Sequence, residues 1–208
     1  PIARKVWIYA IFVFVIISIL FVAIRYLLYD EVVSLSDITK NTSAPVLGVI
    51  PKYKNFIPVS QLIVDTRPRS LMAESLRAIR SNLQLIKNSD SSKLAVCTST
   101  ISGEGKTFFS LNLAGIFAFS EKNVIVLDLD LRKPKIHLGF NTSNEKGMSS
   151  ILNNQAEVDE CIKISNLPNL HFITAGPIPI NPAELILSRK MDELIAYLKT
   201  KYSVIIID

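Results

Sequence analysis

The sequence predicts an α/β domain, built on a mostly parallel sheet flanked by helices and preceded by one transmembrane helix. Three observations carry that expectation. The run Val6–Ile24 holds 19 residues without a charge. From Pro68 onward, short apolar runs alternate with segments of helical spacing, the pattern of strands joined by crossover helices. One of the apolar runs leads into a Gly-Lys-Thr turn and two end in aspartate, as happens where strand ends of a parallel sheet present a ligand site.

Composition sets the outer bounds. The chain has 208 residues, 49% of them hydrophobic, with a net charge of +5, and its mean hydropathy is +0.35. That is too apolar and too lightly charged for a disordered chain. Two cysteines exclude a disulfide scaffold, and seven glycines with ten prolines exclude a collagen-like repeat. No period of the solenoid kind recurs. The positive charge is spread out and is not interleaved with aromatics, so no nucleic-acid partner is expected. The chain opens on Pro1 and closes on the strand-like run Ser203–Asp208, so both ends are expected to be cuts in a longer chain.

At 1.5 Å per residue, Val6–Ile24 matches a hydrocarbon core of roughly 30 Å. Trp7 and Tyr9 at one end, and Tyr26 and Tyr29 at the other, suit an aromatic belt. Arg4 and Lys5 flank one side, and Arg25, Asp30 and Glu31 the other, so charge asymmetry does not choose an orientation. The expected division is a transmembrane helix with flanks over 1–29, a juxtamembrane linker over 30–66 and a globular domain over 67–208. Within the linker, Pro45–Pro51 reads as an edge strand bounded by prolines. Lys40, Lys52 and Lys54 read as solvated charges, with contact to anionic lipid as the alternative. Helices are expected over 70–87, 107–120, 147–153 and 182–200. Strands are expected over 93–98, 124–129, 170–174 and 204–208.

The chemistry lies at three strand ends. The first strand runs into Ser99-Thr-Ile-Ser-Gly-Glu-Gly-Lys-Thr107 and then a helix, the arrangement of a P-loop. Gly103 and Gly105 let the backbone curl so that its N–H groups face phosphate. The helix N-terminus adds positive potential there. Lys106 brings a charge to the β/γ-phosphates and the Thr107 hydroxyl can ligate Mg²⁺. Ser102, Glu104 and Phe108 complete the expected nucleotide-binding set with Gly103, Gly105, Lys106 and Thr107. Thr100 stands where the general pattern has its first glycine. The second strand ends in Asp128, Asp130 and Arg132. Residues two apart share a strand face, so both carboxylates can enter one site. The third strand, Val204–Asp208, ends in an aspartate fit to hold Mg²⁺ directly or through water.

Read with the segments Pro45-Val-Leu-Gly-Val-Ile-Pro51, Glu74-Ser-Leu-Arg77-Ala-Ile-Arg80 and Pro177-Ile-Pro-Ile-Asn-Pro-Ala-Glu184, these motifs resemble the bacterial tyrosine autokinases associated with polysaccharide co-polymerases. The resemblance covers nearly the whole chain. It implies a P-loop NTPase fold and a protein-tyrosine kinase using ATP and Mg²⁺, seated in the bacterial inner membrane with its kinase domain in the cytoplasm. It assigns Lys106 and Thr107 to Walker A, Asp128 and Asp130 to a second acidic motif, and Asp208 to Walker B. It also makes Glu74, Arg77 and Arg80 the contacts that join copies into a ring. The implied partners are other copies of the chain, the membrane, the polysaccharide polymerisation and export machinery and a tyrosine phosphatase. Ser102 departs from the family's usual proline. The Asp-x-Pro-Pro segment and the C-terminal tyrosine cluster of the family do not occur within this sequence. None of Tyr9, Tyr26, Tyr29, Tyr53, Tyr197 and Tyr202 forms such a cluster.

The expected mechanism gives Lys106 the charge on the transferring phosphoryl group. Mg²⁺ is assigned to Thr107 with Asp128, Asp130 and Asp208, and the tyrosine proton to Asp128, with Asp130 able to exchange roles. Two other readings remain: a nucleotide-gated scaffold without kinase activity, and a partition-type ATPase. The latter carries a signature lysine where this chain has Ile101. Cys97 and Cys161 are expected to be buried, reduced thiols, and His137 and His171 to be structural.

Overall fold

The computed structural model describes residues 2–28, 34–53, 61–86 and 92–208. These fall into two compact units, Pro1–Val46 and Leu47–Asp208. Tyr29, Asp30, Glu31, Lys54 and Lys87 lie outside the described residues.

The first unit is dominated by α1 (Ile2–Leu27), which has no buried residue. Its most apolar stretch of 18 residues has a mean hydropathy of 2.9. At 1.5 Å per residue the helix is about 39 Å long, enough to cross a bilayer. Ser18, the polar residue within the run, donates to the Phe14 carbonyl at 2.9 Å, so its hydroxyl is satisfied inside the helix. Beyond α1 a short helix, α2 (Leu35–Asn41), stands where linker was expected. Ser34 caps it, and the Ser34 N–H donates to the Asp37 carboxylate at 2.9 Å. That reciprocal arrangement is a capping box.

The second unit begins with an extended segment. The edge strand expected over Pro45–Pro51 does not form; residues 45–53 join no ladder. Both prolines lack an N–H, and the apolar side chains are used for packing instead. Leu47, Ile50 and Tyr53 lie against the core, and the Leu47 carbonyl accepts from Asn82 Nδ2 at 2.7 Å. The short α3 (Ile63–Thr66) follows. Asn112 ties it down, accepting from the Val64 N–H and donating to the Gln61 carbonyl. The segment expected as linker therefore contributes to the domain core.

The main elements come next: α4 (Leu71–Ile86), β1 (Lys93–Val96), α5 (Lys106–Ala118), β2 (Val124–Leu127), α6 (Ile136–Gly139), α7 (Met148–Leu152), α8 (Val158–Cys161), β3 (Lys163–Ile164), β4 (Leu170–Ile173), α9 (Pro182–Ile186), α10 (Arg189–Lys201) and β5 (Val204–Ile207). The sheet order is β1-β5-β2-β4-β3. All pairings are parallel except β3 with β4. β2 and β5 are buried throughout, as their unbroken apolar runs require of strands covered on both faces.

Two cores flank the sheet. On one face Val124, Val126, Val204 and Ile206 meet α4 and α5. On the other, Ile125, Leu127, Ile205 and Ile207 meet α7, α9 and α10. The β1→β2 and β4→β5 connections run in opposite directions across the sheet, so right-handed crossovers place α5 and α10 on opposite faces.

The single helix expected over 182–200 is two helices. Ser188 takes an extended conformation as the N-cap of α10, and its hydroxyl donates back to the Leu185 carbonyl at 2.7 Å. A serine that bonds nearby backbone competes with helix continuation. Cys161 is buried, but Cys97 is only half-buried, at the end of edge strand β1. His171 shares a 2.7 Å hydrogen bond with the Tyr202 hydroxyl, a structural pairing.

Candidate functional site

The site forms where β1, β5 and β2 end side by side. Asp208 N–H donates to the Leu127 carbonyl, and Cys97 N–H to the Ile207 carbonyl, so the three exits are locked together. The loop after β1 then curls back into α5. Gly103 and Gly105 have φ of +98° and +95°. A Cβ at either would meet no atom within 4 Å, so these glycines serve backbone conformation and not close packing. Gly105 is the N-cap of α5, and the free N–H groups of the first turn face the loop.

Glu104 explains how the loop manages without a glycine at Thr100. Its carboxylate accepts from the Thr100 and Ile101 N–H groups at 3.0 and 3.2 Å and so fastens the loop's entry. Ser102 through Gly105 are exposed, and Lys106, Thr107 and Phe108 are half-buried. Phe108 turns its ring toward Tyr53, with centroids 6.0 Å apart. Its side chain therefore supports the core.

Lys106 Nζ lies 3.1 Å from Asp208 Oδ1. The same oxygen accepts from Ser110 Oγ at 2.7 Å. Asp208 Oδ2 is buried and has no partner among the described residues. Ser110 escaped the sequence reading because it sits on the buried side of α5 and its partner is 98 residues away.

Asp128 is 0% exposed. Its two oxygens accept from the Asp130 and Ile136 N–H groups, both at 3.2 Å, so the carboxylate organises the turn that follows β2. Burial pushes its pKa up to about 7, with the neighbouring charges of Asp208 and Asp130 adding to the rise and the two amide bonds opposing it. Asp130 is half-buried and accepts from the Lys133 N–H at 3.0 Å.

The raised value has a testable consequence. A carboxyl whose folded pKa lies above its unfolded value of 3.8 favours the fold when protonated. That contribution is complete below about pH 4 and is lost as pH rises through about 7. The nucleotide-free protein in EDTA is expected to lose melting temperature between about pH 4 and pH 7. Asp128→Asn is expected to flatten that slope, whatever its effect on absolute stability. Equal slopes in thermal melts of the two proteins would contradict this.

Among the described residues no three His, Cys, Asp or Glu side chains form a metal cage. Mg²⁺ at nucleotide sites needs few protein ligands, because phosphates and water complete its octahedron. The orphaned Asp208 Oδ2 and the Thr107 hydroxyl fit that requirement. Asp128, with both oxygens on amides, is the least available of the expected ligands.

Glu74, Arg77 and Arg80 divide between two roles. Glu74 and Arg77 pair with each other on the outer side of α4, and Arg77 also donates to the Pro68 carbonyl at 2.7 Å. Arg80 turns inward and donates to the Ile116 carbonyl at 3.2 Å, in the last turn of α5. Such carbonyls lack helical partners, and a cation there also opposes the helix dipole. Arg80→Ala is therefore expected to cost about 1 kcal/mol of stability, while Glu74→Ala leaves melting unchanged. Thermal melts of both variants check this.

Known proteins resemble this chain in sequence and in fold. The family model described as AAA domain matches residues 92–208. Tyrosine-protein kinase YwqD of Bacillus subtilis is 38% identical over 147 residues, 71% of this chain and 62% of that protein. The chimerical protein CapA2B2 superposes with a TM-score of 0.76 at 35% identity, over 84% of this chain and 74% of that one. The kinase domain of the Escherichia coli tyrosine kinase ETK gives a TM-score of 0.76 at 26% identity, over 84% of this chain and 71% of that one. The chain thus spans less than two thirds of YwqD. A P-loop fold of this kind binds nucleotide together with a divalent metal. With the family match over more than half its length and kinase domains among its structural relatives, the chain belongs to the AAA domain family, in the group of bacterial tyrosine-kinase P-loop domains.

Proposed function

We propose that the protein is a membrane-anchored tyrosine autokinase that uses Mg-ATP and acts in exopolysaccharide or capsule assembly. The observation that carries this reading is the convergence of the P-loop, Asp128 with Asp130, and the Lys106–Asp208 pair at three adjacent strand ends. α1 is read as the span, and the nucleotide domain as lying on the cytoplasmic side, where ATP is found.

In this reading the loop amides and Lys106 bind the phosphates, and Lys106 leaves Asp208 to do so. Thr107 and Asp208, with Asp130 beside them in the proposed set, would hold Mg²⁺, which would supply positive charge against the phosphates. The acceptor tyrosine hydroxyl, with an ordinary pKa of about 10, gives its proton to Asp128. A carboxylate whose pKa is about 7 is suited to take a proton at neutral pH. Reaching Asp128 requires the turn 129–135 to move, because the carboxylate is fully buried in this state. The acceptor comes from a neighbouring copy in a ring built on the α4 face carrying Glu74 and Arg77. Arg80 contributes there by fixing α4 to α5. The polysaccharide machinery and a tyrosine phosphatase complete the proposed partners.

The burial of Asp128 is also what favours a second reading, a nucleotide-gated scaffold that binds ATP without transferring phosphate. The two part in one experiment. Full-length protein incubated with Mg-ATP is expected to acquire phosphotyrosine, detected by mass spectrometry. Nucleotide binding without phosphotyrosine would favour the scaffold.

A further inference from the structure

Asp208 has a side chain 1% exposed, and both of its known donors reach the same oxygen. Lys106 lies at 3.1 Å and Ser110 at 2.7 Å from Oδ1, while Oδ2 has no partner among the described residues. Ser110 is itself fully buried, one helical turn beyond Lys106 on α5. Its hydroxyl also lies 3.0 Å from the Lys106 carbonyl. A hydroxyl has one proton to give, and an ionised acceptor holds it more strongly than a neutral carbonyl. The shorter distance to Asp208 agrees.

Lys106 is needed elsewhere once nucleotide arrives. A buried carboxylate that loses its only partner is strongly unfavourable. Oδ1 is spared that loss because its second donor is carried by the helix and has no role toward phosphate. With Oδ1 hydrogen-bonded to Ser110, rotating the carboxylate would break that bond, so Oδ2 tends to keep its direction.

We propose that Ser110 is a positioning residue for Asp208: it keeps Oδ1 hydrogen-bonded when Lys106 moves to the nucleotide, and so holds Oδ2 presented to the divalent metal. This rests on the nucleotide-binding half of the proposed function. It does not depend on phosphate transfer to tyrosine, so binding measurements separate its failure from that of the kinase reading. The ordinary alternative is a serine that merely back-bonds to its own helix at the Lys106 carbonyl. In that case alanine would be neutral, and its effect would be independent of Lys106.

The test uses full-length protein in detergent with the fluorescent probe mant-ADP. Ser110→Ala is expected to weaken Mg²⁺-dependent binding about tenfold, the loss of one hydrogen bond to a charged group. The Mg²⁺ concentration at half-saturation should rise by a similar factor, and Ser110→Thr should restore both. Nucleotide-free melting gives a second measure that needs no ligand and no threonine variant. Ser110→Ala alone should change it little. Combined with Lys106→Met it should lower melting by more than the sum of the single changes, because both donors to Oδ1 are then gone. Unchanged binding and Mg²⁺ midpoint in Ser110→Ala, or strictly additive melting shifts, would overturn the proposal.

Discussion

Replacing Lys106 by methionine is expected to have two large effects that arise from different states of the protein. In the nucleotide-bound state of the proposed function it removes the charge assigned to the phosphates. Nucleotide-dependent activity should fall about 100-fold or more, the usual scale for losing a charge that stabilises the transition state. In the nucleotide-free state it strips Asp208 of a partner 3.1 Å away and leaves a buried carboxylate on Ser110 alone. Breaking a buried pair from one side commonly costs about 3–5 kcal/mol. Lys106 is 23% exposed, so about 2–3 kcal/mol is the better expectation. For a domain of this size that lowers the melting temperature by about 5–10 °C. A variant chosen as an inactive control is thus also a destabilised protein. Melting and activity have to be measured on the same preparation. An unchanged melting temperature would show that the ion pair is not formed in solution.

Gly147→Ala is expected to be the most damaging small substitution in the domain. Its φ is 178°, an extended conformation open to any residue, so the backbone itself is not strained. The cost is steric. A Cβ there would lie 2.1 Å from the Thr174 carbonyl oxygen, 2.5 Å from Gly176 N and 2.7 Å from Thr174 C. All three are backbone atoms at the exit of β4 and none can swing aside. The surroundings are also held by hydrogen bonds. Met148 and Ser149 donate to the carbonyls of Thr174 and Ala175, each at 2.8 Å. Asn144 and Gly176 bond to each other in both directions. Making room means breaking several of these at once, at a cost on the order of 3–5 kcal/mol. Chemical denaturation is the measurement. A loss below about 1 kcal/mol would mean that the loop is not seated on β4 as described.

The parts of this molecule that were legible in its sequence are those where one property dominates. β2 and β5 are runs of four apolar residues buried on both faces, and no other element among the described residues matches that pattern. The loop before α5 announces itself because phosphate binding needs glycine conformations and a lysine at fixed spacing. The carboxylates of Asp128 and Asp208 stood out as charges ending apolar strands.

What could not be read depends on partners far away in the chain. Arg80 looked like Arg77, its neighbour one turn back, yet only Arg80 reaches α5, 36 residues on. Ser110 was one hydroxyl among the apolar residues of α5. The segment around Leu47 and Ile50 carried strand-like residues, and nothing local revealed that the core would take them singly. β3 has two residues, too few to show a period. The break after Leu187 turned on whether Ser188 bonded forward or back.

In the proposed function this site transfers phosphate to tyrosine on another copy of the chain. The most direct measurement mixes isotopically heavy full-length Lys106→Met protein with light wild-type protein and Mg-ATP, and maps phosphate by mass spectrometry. Phosphotyrosine is expected on heavy peptides when wild-type protein is present, and none when the heavy protein is incubated alone. ATP consumption with no phosphotyrosine on either heavy or light peptides would contradict it.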